Sequence, residues 1–596
     1  MFGYTGKILR VNLTTGECKT ESLDEKMAKK FIGGRGLGTK IFYDEVSPKV
    51  DALSEENKIL FVTGPLTGTP TVTTARYMVV TKSPLSDTIA SSNSGGYWGP
   101  ELKFAGYDMI IVEGKADKPS YLMIEDDKVE IRDASHIWGK VVSETTNILE
   151  KEVPEKSRVL TIGPAGEKLS NIAAVMNDVA RAAGRSGVGA VMGSKNLKAI
   201  TVRGTKKVEV ADKEGLKEAH LEMIKKIREN GVTGVGLPTY GTAVLVNIIN
   251  ETGVFPTNNF QLSQFAEAEE VSGETLTEKY LVKKDPCYRC PIACGRYTKV
   301  DDIEGGGPEY ETIWAYSADC GVADMPSIIK ANYWCNELGL DTISAGATIA
   351  AAMELYQRGY IKDEDLDGVS LNFGDSEATI EWTKRMGNRE GFGDKMAEGS
   401  YRLAESYGVP ELSMSVKKLE LPAYDPRGVQ GQGLQYATSN RGGCHVRGYM
   451  ISPEILGEPE KLDRLTIEGK AAWSKIFQDL TALIDSSGLC LFTSFAMGAD
   501  EYALILNKVL DTDWTAEDIL TAGERIWNLE REFNLEAGVD PSQDTLPKRL
   551  LEDGIKEGPS EGHVTRLSEM LPEYYELRGW TKEGIPTEEK KKQLGI

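Results

Sequence analysis

The chain has 596 residues, 91 acidic against 69 basic side chains, a formal net charge of −22, 40% hydrophobic and 27% charged residues. This composition excludes a disordered or low-complexity chain, and the acidic excess excludes a protein that grips a phosphate backbone, so no nucleic-acid partner is expected. No run approaches the ~18 uninterrupted apolar residues of a membrane span, and the start, MFGYTGKILRVNL, lacks an export-signal pattern, so no membrane association and a cytoplasmic location are expected.

At roughly 150 residues per domain the length accommodates three or four domains. Taken in chain order, KILRVNL (7–13) alternates, and YMVVTK (77–82), MIIVEG (109–114) and KAITVRG (198–204) are β-branched runs bounded by turn formers, so they predict strands. Glycine is dense between them, in GGRGLG (33–38), NSGGYWG (93–99) and RAAGRSGVGAVMG (181–193). Neither nucleotide fingerprint fits: GGRGLG is not GxGxxG, and GVGAVMGSK has Ser-Lys where a P-loop needs Lys-Ser or Lys-Thr. The glycines either let backbone amides approach a cofactor phosphate, with Arg76, Arg181 and Arg185 supplying charge, or make turns between strands.

Beyond Asp212 the period becomes helical: Leu216, His220, Met223, Ile224 and Ile227 share one face, which predicts His220 to be a core histidine. Helical spacing recurs over 327–338, 343–358, 470–485 and 515–534, followed by a polar C-terminal stretch expected to hug the surface. The predicted class is α+β, with a β-rich domain over 1–208 and two mainly helical ones over 209–415 and 416–596. A weak echo links Asn336-Glu-Leu-Gly-Leu-Asp341 with Asp485-Ser-Ser-Gly-Leu-Cys490; in both, a helical run ends at a glycine, Gly339 or Gly488, able to form a left-handed cap.

Cys287, Cys290 and Cys294 form Cys-x2-Cys-x3-Cys, leaving Cys18, Cys320, Cys335, Cys444 and Cys490 elsewhere. Three close thiols and a distant fourth suit a [4Fe–4S] cluster, whereas zinc more often takes two Cys pairs or a Cys/His mixture. Spacing alone does not choose the fourth thiol, although Cys490 ends one of the echoing loops. Glu309 and Glu311 follow a Gly/Pro turn at a predicted helix start, and His445 lies in the loop NRGGCH (440–445). A helix N-terminus lowers the pKa of a carboxyl and burial raises it, so Glu311 is a candidate acid–base group; the alternatives are a helix-end charge and a surface loop.

These segments together, from GKILRVNL through GPLTGTP, NSGGYWG, GVGAVMGSKNLKAI, CYRCPIACGR, GPEYE and AYDPRG to NRGGCH and DSSGLCLFT, resemble the tungsten-dependent aldehyde ferredoxin oxidoreductases along nearly the whole chain. The resemblance implies a β-rich pterin-binding base, a bis-molybdopterin tungsten centre and one [4Fe–4S] cluster on Cys287, Cys290, Cys294 and Cys490. It also implies pterin-binding loops that include Asn336, Gly339, Leu340, Asp341, Asp485, Gly488 and Leu489. Further implied are a magnesium ion on main-chain oxygens of Asn93 and Ala183, Arg76 bridging pterin and cluster, and Glu311 and His445 beside the metal. The implied reaction oxidises an aldehyde with water to a carboxylic acid and passes electrons to ferredoxin or a dedicated iron–sulfur subunit. The same cofactors on a thioester or a sugar aldehyde are the nearest alternative, and a zinc-stabilised binding protein is a remote one. Two departures stand out. Asn336 replaces an Asp of some members, and Lys330 and Tyr333 occupy the positions of the Glu-x-x-His pair that holds an interface iron in archaeal dimers, so no such iron is expected.

Overall fold

The computed structural model describes residues 1–596, and its first third builds one plan twice. The first copy runs β1 (Lys7–Asn12), β2 (Glu17–Ser22), α1 (Gly34–Glu45), β3 (Ile59–Thr63), β4 (Tyr77–Lys82), β5 (Ile89–Ser94), α2 (Trp98–Ala105) and β6 (Met109–Glu113). The second runs β7 (Ser120–Glu125), β8 (Lys128–Asp133), α3 (Val142–Glu152), β9 (Arg158–Thr161), β10 (Val175–Asn177), β11 (Arg181–Ala183), α4 (Val188–Ser194) and β12 (Leu197–Arg203). Each copy is a six-stranded sheet, ordered β2-β1-β6-β3-β4-β5 and β8-β7-β12-β9-β10-β11. The pairing senses correspond throughout: β1 with β6 and β7 with β12 are parallel, and every other pair is antiparallel.

The period-two alternation of the strands divides their side chains between two cores. Leu9, Val11, Phe61, Val79, Ile110 and Val112 turn onto Leu122, Ile124, Leu160 and Val202 of the second sheet, while Ile8, Leu60, Val62, Val80 and Ile111 join the helices. With both faces covered, β3 and β4 are buried at every position, which is why they read as continuous apolar runs.

The helical remainder includes α5 (Lys213–Glu229), α6 (Tyr310–Tyr316), α7 (Met325–Leu338), α8 (Thr342–Gln357), α9 (Lys470–Ser487), α10 (Ala516–Glu536) and α11 (Leu567–Arg578). One hydrophobic core extends from Tyr4 to Trp580, so the β-rich base and the helices share an interior. Two expectations need correction. His220 is half-buried at the margin of the Leu216–Met223–Ile227 stripe rather than within the core. The C-terminal stretch does not merely hug the surface: α11 buries Tyr574 and Arg578, and Arg578 hydrogen-bonds Asp479 and Gln478 of α9. The run Val232–Glu251 is apolar and long enough by composition to cross a membrane, with mean hydropathy 1.4. Its path turns at Gly241, whose φ is +66°, so it is not one straight helix.

Each half of the base carries one of the echoing loops, and glycine explains how. Gly64 follows β3, and a Cβ there would lie 2.2 Å from the Ser487 carbonyl group; Gly163 follows β9, and its Cβ would lie 2.3 Å from that of Leu338. Beside these contacts the Arg76 amide donates to the Gly488 carbonyl at 3.2 Å and the Ala174 amide to the Gly339 carbonyl at 2.8 Å. Gly339 (φ 72°) and Gly488 (φ 94°) end α7 and α9 in the left-handed conformation. The atoms facing Gly64 and Gly163 are backbone and cannot rotate away, so Gly64→Ala and Gly163→Ala are each expected to cost about 1–3 kcal/mol by overpacking. Gly236→Ala, where the nearest outside atom is 3.6 Å from the new Cβ, should leave thermal unfolding within a degree or two of the parent; equal midpoints for all three variants would refute the close-approach account.

Candidate active site

The segment 287–294 links β13 (Leu281–Lys284) to β14 (Arg296–Val300), the first two strands of a small sheet completed by β15 (Ile303–Gly306). Arg289 and Ala293 take φ of 48° and 49°, curling the loop so that Cys287, Cys290 and Cys294 line one small cavity with Cys490, which follows the Gly488 cap. Spacing left the fourth thiol open; the fold puts Cys490 beside the other three. No group of three His, Cys, Asp or Glu side chains converges on a single ion position; the four thiols surround a space instead. Burial pushes the Cys290 thiol up to about 12 and Cys294 well above its ordinary value, so a cationic centre is what would draw them into the thiolate form.

Arg76 closes the cavity on its inner side. Its Nη2 donates to Cys490 Sγ at 3.2 Å and its Nη1 to Asn93 Oδ1 at 3.0 Å. Burial opposes its charge, but the surrounding Cys490, Cys287 and Cys294 sulfurs hold it firmly protonated. Arg76, Cys287, Cys294 and Phe492 also form part of the wall of a second cavity of about 320 Å³.

Glu311 and His445 meet in that second cavity, with His445 Nε2 at 3.4 Å from Glu311 Oε1. Glu311 is the second residue of α6, and its Oε2 accepts from the Ala423 amide at 2.9 Å. Burial outweighs that bond and the nearby Arg185, raising the Glu311 carboxyl to about 8. Burial, followed by Arg185 and Arg441, lowers His445 well below its usual value, so its imidazole is neutral. Glu311 Oε1 and His445 Nδ1 are buried without a hydrogen-bond partner. Both atoms belong to residues that line the cavity, and a bound group or an ordered water is what would satisfy them.

The first echoing loop lines this cavity, whereas residues 485–490 stand behind its wall, which resumes at Leu491 and Phe492. Asn336, Leu340 and Asp341 are the lining residues of the first loop, and the Asn336 amide is committed to the Gly306 carbonyl at 3.0 Å. Asp341 caps α8 and pairs with Arg185 Nε at 3.1 Å. Asp485 pairs with Arg35 at 3.4 Å and with Arg447, and accepts from Asn93 Nδ2 at 3.3 Å. Gly488 and Leu489 lead from there to Cys490. Asn93 lies on β5 and Ala183 on β11, the outer strands of the two sheets, which pack against each other.

Two sequence readings change here. Arg185 serves the protein itself, bonding Asp341 and the carbonyls of Gly443 (2.6 Å) and Glu420 (2.8 Å). In GGRGLG, a Cβ on Gly34 would lie 2.3 Å from the Asp485 carbonyl oxygen, so this glycine admits the second loop rather than a phosphate. Sequence reasoning missed Tyr424 and Tyr449, whose hydroxyls are 2.8 Å apart and whose rings lie 5.9 and 6.0 Å from His445. It also missed Arg35, Arg441 and Arg447. Tyr424 and Arg441 stand in the AYDPRG and NRGGCH segments, but nothing in their spacing announces a shared site.

A doubled base that seats two helix-ending loops, a four-thiol cavity and, next to it, a buried acid–imidazole pair is the arrangement of an enzyme with an enclosed site. Family descriptions make it specific, since residues 8–204 match the N-terminal domain of aldehyde ferredoxin oxidoreductase and residues 218–596 match its domains 2 and 3. The chain belongs to the aldehyde ferredoxin oxidoreductase family. It is 59% identical to the tungsten-containing aldehyde ferredoxin oxidoreductase of Pyrococcus furiosus, covering 100% of this chain and 99% of that protein. To an aliphatic sulfonate oxidoreductase WOR-like subunit of the same organism it is 34% identical, over 100% of this chain and 97% of that one. Among solved structures, the active-site complex of benzoyl coenzyme A reductase with 1,5-dienoyl-CoA superposes with a TM-score of 0.86 at 27% identity, over 100% and 97% of the two chains.

Proposed function

We propose that the protein oxidises aldehydes: RCHO + H2O gives RCOOH, two protons and two electrons, the electrons leaving singly through a [4Fe–4S] cluster to ferredoxin or a dedicated iron–sulfur subunit. The observation that carries this is the meeting of Glu311 and His445, both unsatisfied, in a cavity that shares a wall with the four thiols. The high identity to the tungsten-containing relatives favours aldehydes over the thioester chemistry of the structural neighbour. Assaying short aliphatic and aromatic aldehydes against thioesters separates the two.

Cys287, Cys290, Cys294 and Cys490 would hold the cluster. The loops 336–341 and 485–490 would embrace a bis-molybdopterin tungsten group, with Arg76 between the two centres and a magnesium ion on the main-chain oxygens of Asn93 and Ala183. When bound, the tungsten group supplies the two-electron redox chemistry. Neutral His445 donates a hydrogen bond to the substrate carbonyl oxygen, and Glu311, once ionised, accepts a proton as the oxygen nucleophile adds. Tyr424 and Tyr449 wall the cavity against water.

Iron and tungsten analysis of anaerobically purified protein tests the cofactor assignment. About four irons per chain are expected, falling to near zero in Cys294→Ser with the cluster EPR signal lost. Lys330 pairs with Asp301 at 2.9 Å, a cation where an interface iron would need a ligand, so a stoichiometric fifth, mononuclear iron would contradict the absence of a Glu-x-x-His site.

A further inference from the structure

The segment Leu281–Cys290 connects an edge strand to the thiol loop, and its exposed charge is opposite to that of the chain. Lys283, Lys284 and Arg289 are exposed, and none is within ion-pair distance of a carboxylate, in a chain of net charge −22. The segment's single acid, Asp285, is already paired with Arg181 at 3.0 Å. Arg289 is held in place by the Thr71 and Pro70 carbonyls at 3.3 and 3.2 Å, which anchor its guanidinium without neutralising it. Lys283 rests over the Tyr297 ring at 4.6 Å.

Apolar surface accompanies the charge. Val282 is 50% exposed, and Tyr288 packs edge-on against Tyr97 and Phe104 at 6.4 and 6.0 Å. Chain geometry keeps the segment near the thiols: Lys284 precedes Cys287 by three residues, a reach of at most about 11 Å, Val282 by five, at most about 18 Å, and Arg289 adjoins Cys290.

We propose that the surface formed by Val282–Lys284 and Tyr288–Arg289 is the docking face for a small acidic iron–sulfur electron carrier; this rests on the reading of the four thiols as a cluster site. An acidic carrier is repelled by the net charge, so productive encounter is restricted to a place where the local field is reversed. Exposed charges are screened beyond about 8 Å at physiological ionic strength, so unpaired cations borne within a few residues of the thiol loop outweigh distant acids for a partner docked there. A second copy of this chain is acidic too, so the oligomeric state of the charge-reversed variant is what separates it from the carrier.

The test is the double reversal K283E/K284E, which leaves the thiol loop itself untouched, assayed on the metal-loaded enzyme with an acidic ferredoxin and with methyl viologen as alternative acceptors. The KM for ferredoxin should rise about tenfold or more and its salt dependence flatten, while viologen reduction stays within twofold of the parent and the cluster EPR signal is unchanged. Reversing exposed, unpaired Lys362, Lys556 and Lys582 instead should leave the ferredoxin KM within twofold. An unchanged ferredoxin KM in the first variant, or an equal rise in both, overturns the docking face. So does dissociation of a homodimer by the first variant with ferredoxin kinetics untouched. The neutral variant K283Q/K284Q reads out the same effect at smaller amplitude if the reversal unsettles the strand. Failure of the parent enzyme to reduce viologen with any aldehyde would instead overturn the functional reading.

Discussion

Glu311→Gln, with tungsten and iron fully loaded, is expected to lower kcat roughly 10²- to 10⁴-fold, the range that a positioned acid–base group supplies. The amide keeps the size of the side chain but cannot accept a proton. Because burial raises Glu311 to about 8 and the base is the ionised form, kcat/KM of the parent should climb with pH along a limb centred near 8 and then level off. The variant should show no such limb. Stability supplies a readout independent of turnover. With the folded pKa raised from 4.5 to about 8, Glu311 contributes stability below pH 4.5 that is lost as pH rises through about 8. Glutamine does not titrate, so the midpoint of Glu311→Gln relative to the parent should improve between pH 5 and pH 9. A near-parent rate in a fully loaded variant would remove Glu311 from the chemistry.

Arg447→Met is expected to destabilise the protein by about 3–5 kcal/mol, the cost of leaving a buried charge unpaired. Arg447 is buried; it bonds Asp485 and donates to Ser91 Oγ at 2.6 Å. Without it, Asp485 and Glu530 compete for Arg35, which already donates to both Glu530 oxygens at 2.7 and 2.6 Å. Asp485 opens the loop that ends at Cys490, so the damage should reach both cavities, with tungsten and iron contents falling together. In Arg447→Met/Asp485→Asn the unpaired carboxylate is gone, and the double variant should lose less than the sum of the single ones. Full metal content and an unchanged unfolding midpoint in Arg447→Met would show that the pair does not hold the loop.

Much of the architecture is legible in the order of residues along the chain. The β-branched runs at 77–82 and 109–114 are strands because both of their faces are covered, and the helical spacing at 343–358 and 470–485 falls on α8 and α9. The echo between 336–341 and 485–490 is faint because only the glycine and the leucine after it are shared. It gains meaning from the doubled base, where Gly64 and Gly163 each seat one loop. The doubling itself escapes sequence reading: the two sheets share strand order and pairing sense, which are backbone properties that different side chains satisfy equally well. The expectation of a surface tail at the C-terminus fails because charge and proline content do not reveal that Arg578 finds Asp479 to bury against.

The sequence by itself determined the β-then-helix order, the three clustered thiols, the glycine punctuation and the family, since each is carried by residues close together along the chain or by motif order. Cys490 was left open by spacing and named only by the family resemblance, and the fold places it with Cys287, Cys290 and Cys294; tertiary structure alone decided that Arg185 serves Asp341 and that Tyr424 and Tyr449 stand beside His445. The state of Glu311 belongs with these. The helix dipole that would lower its pKa is visible in local sequence, but the burial that prevails is produced by distant segments closing over it. The charge balance divides the same way: the net −22 is a sum over residues, whereas the unpaired cations beside the thiol loop emerge only when the fold shows which charges have found partners.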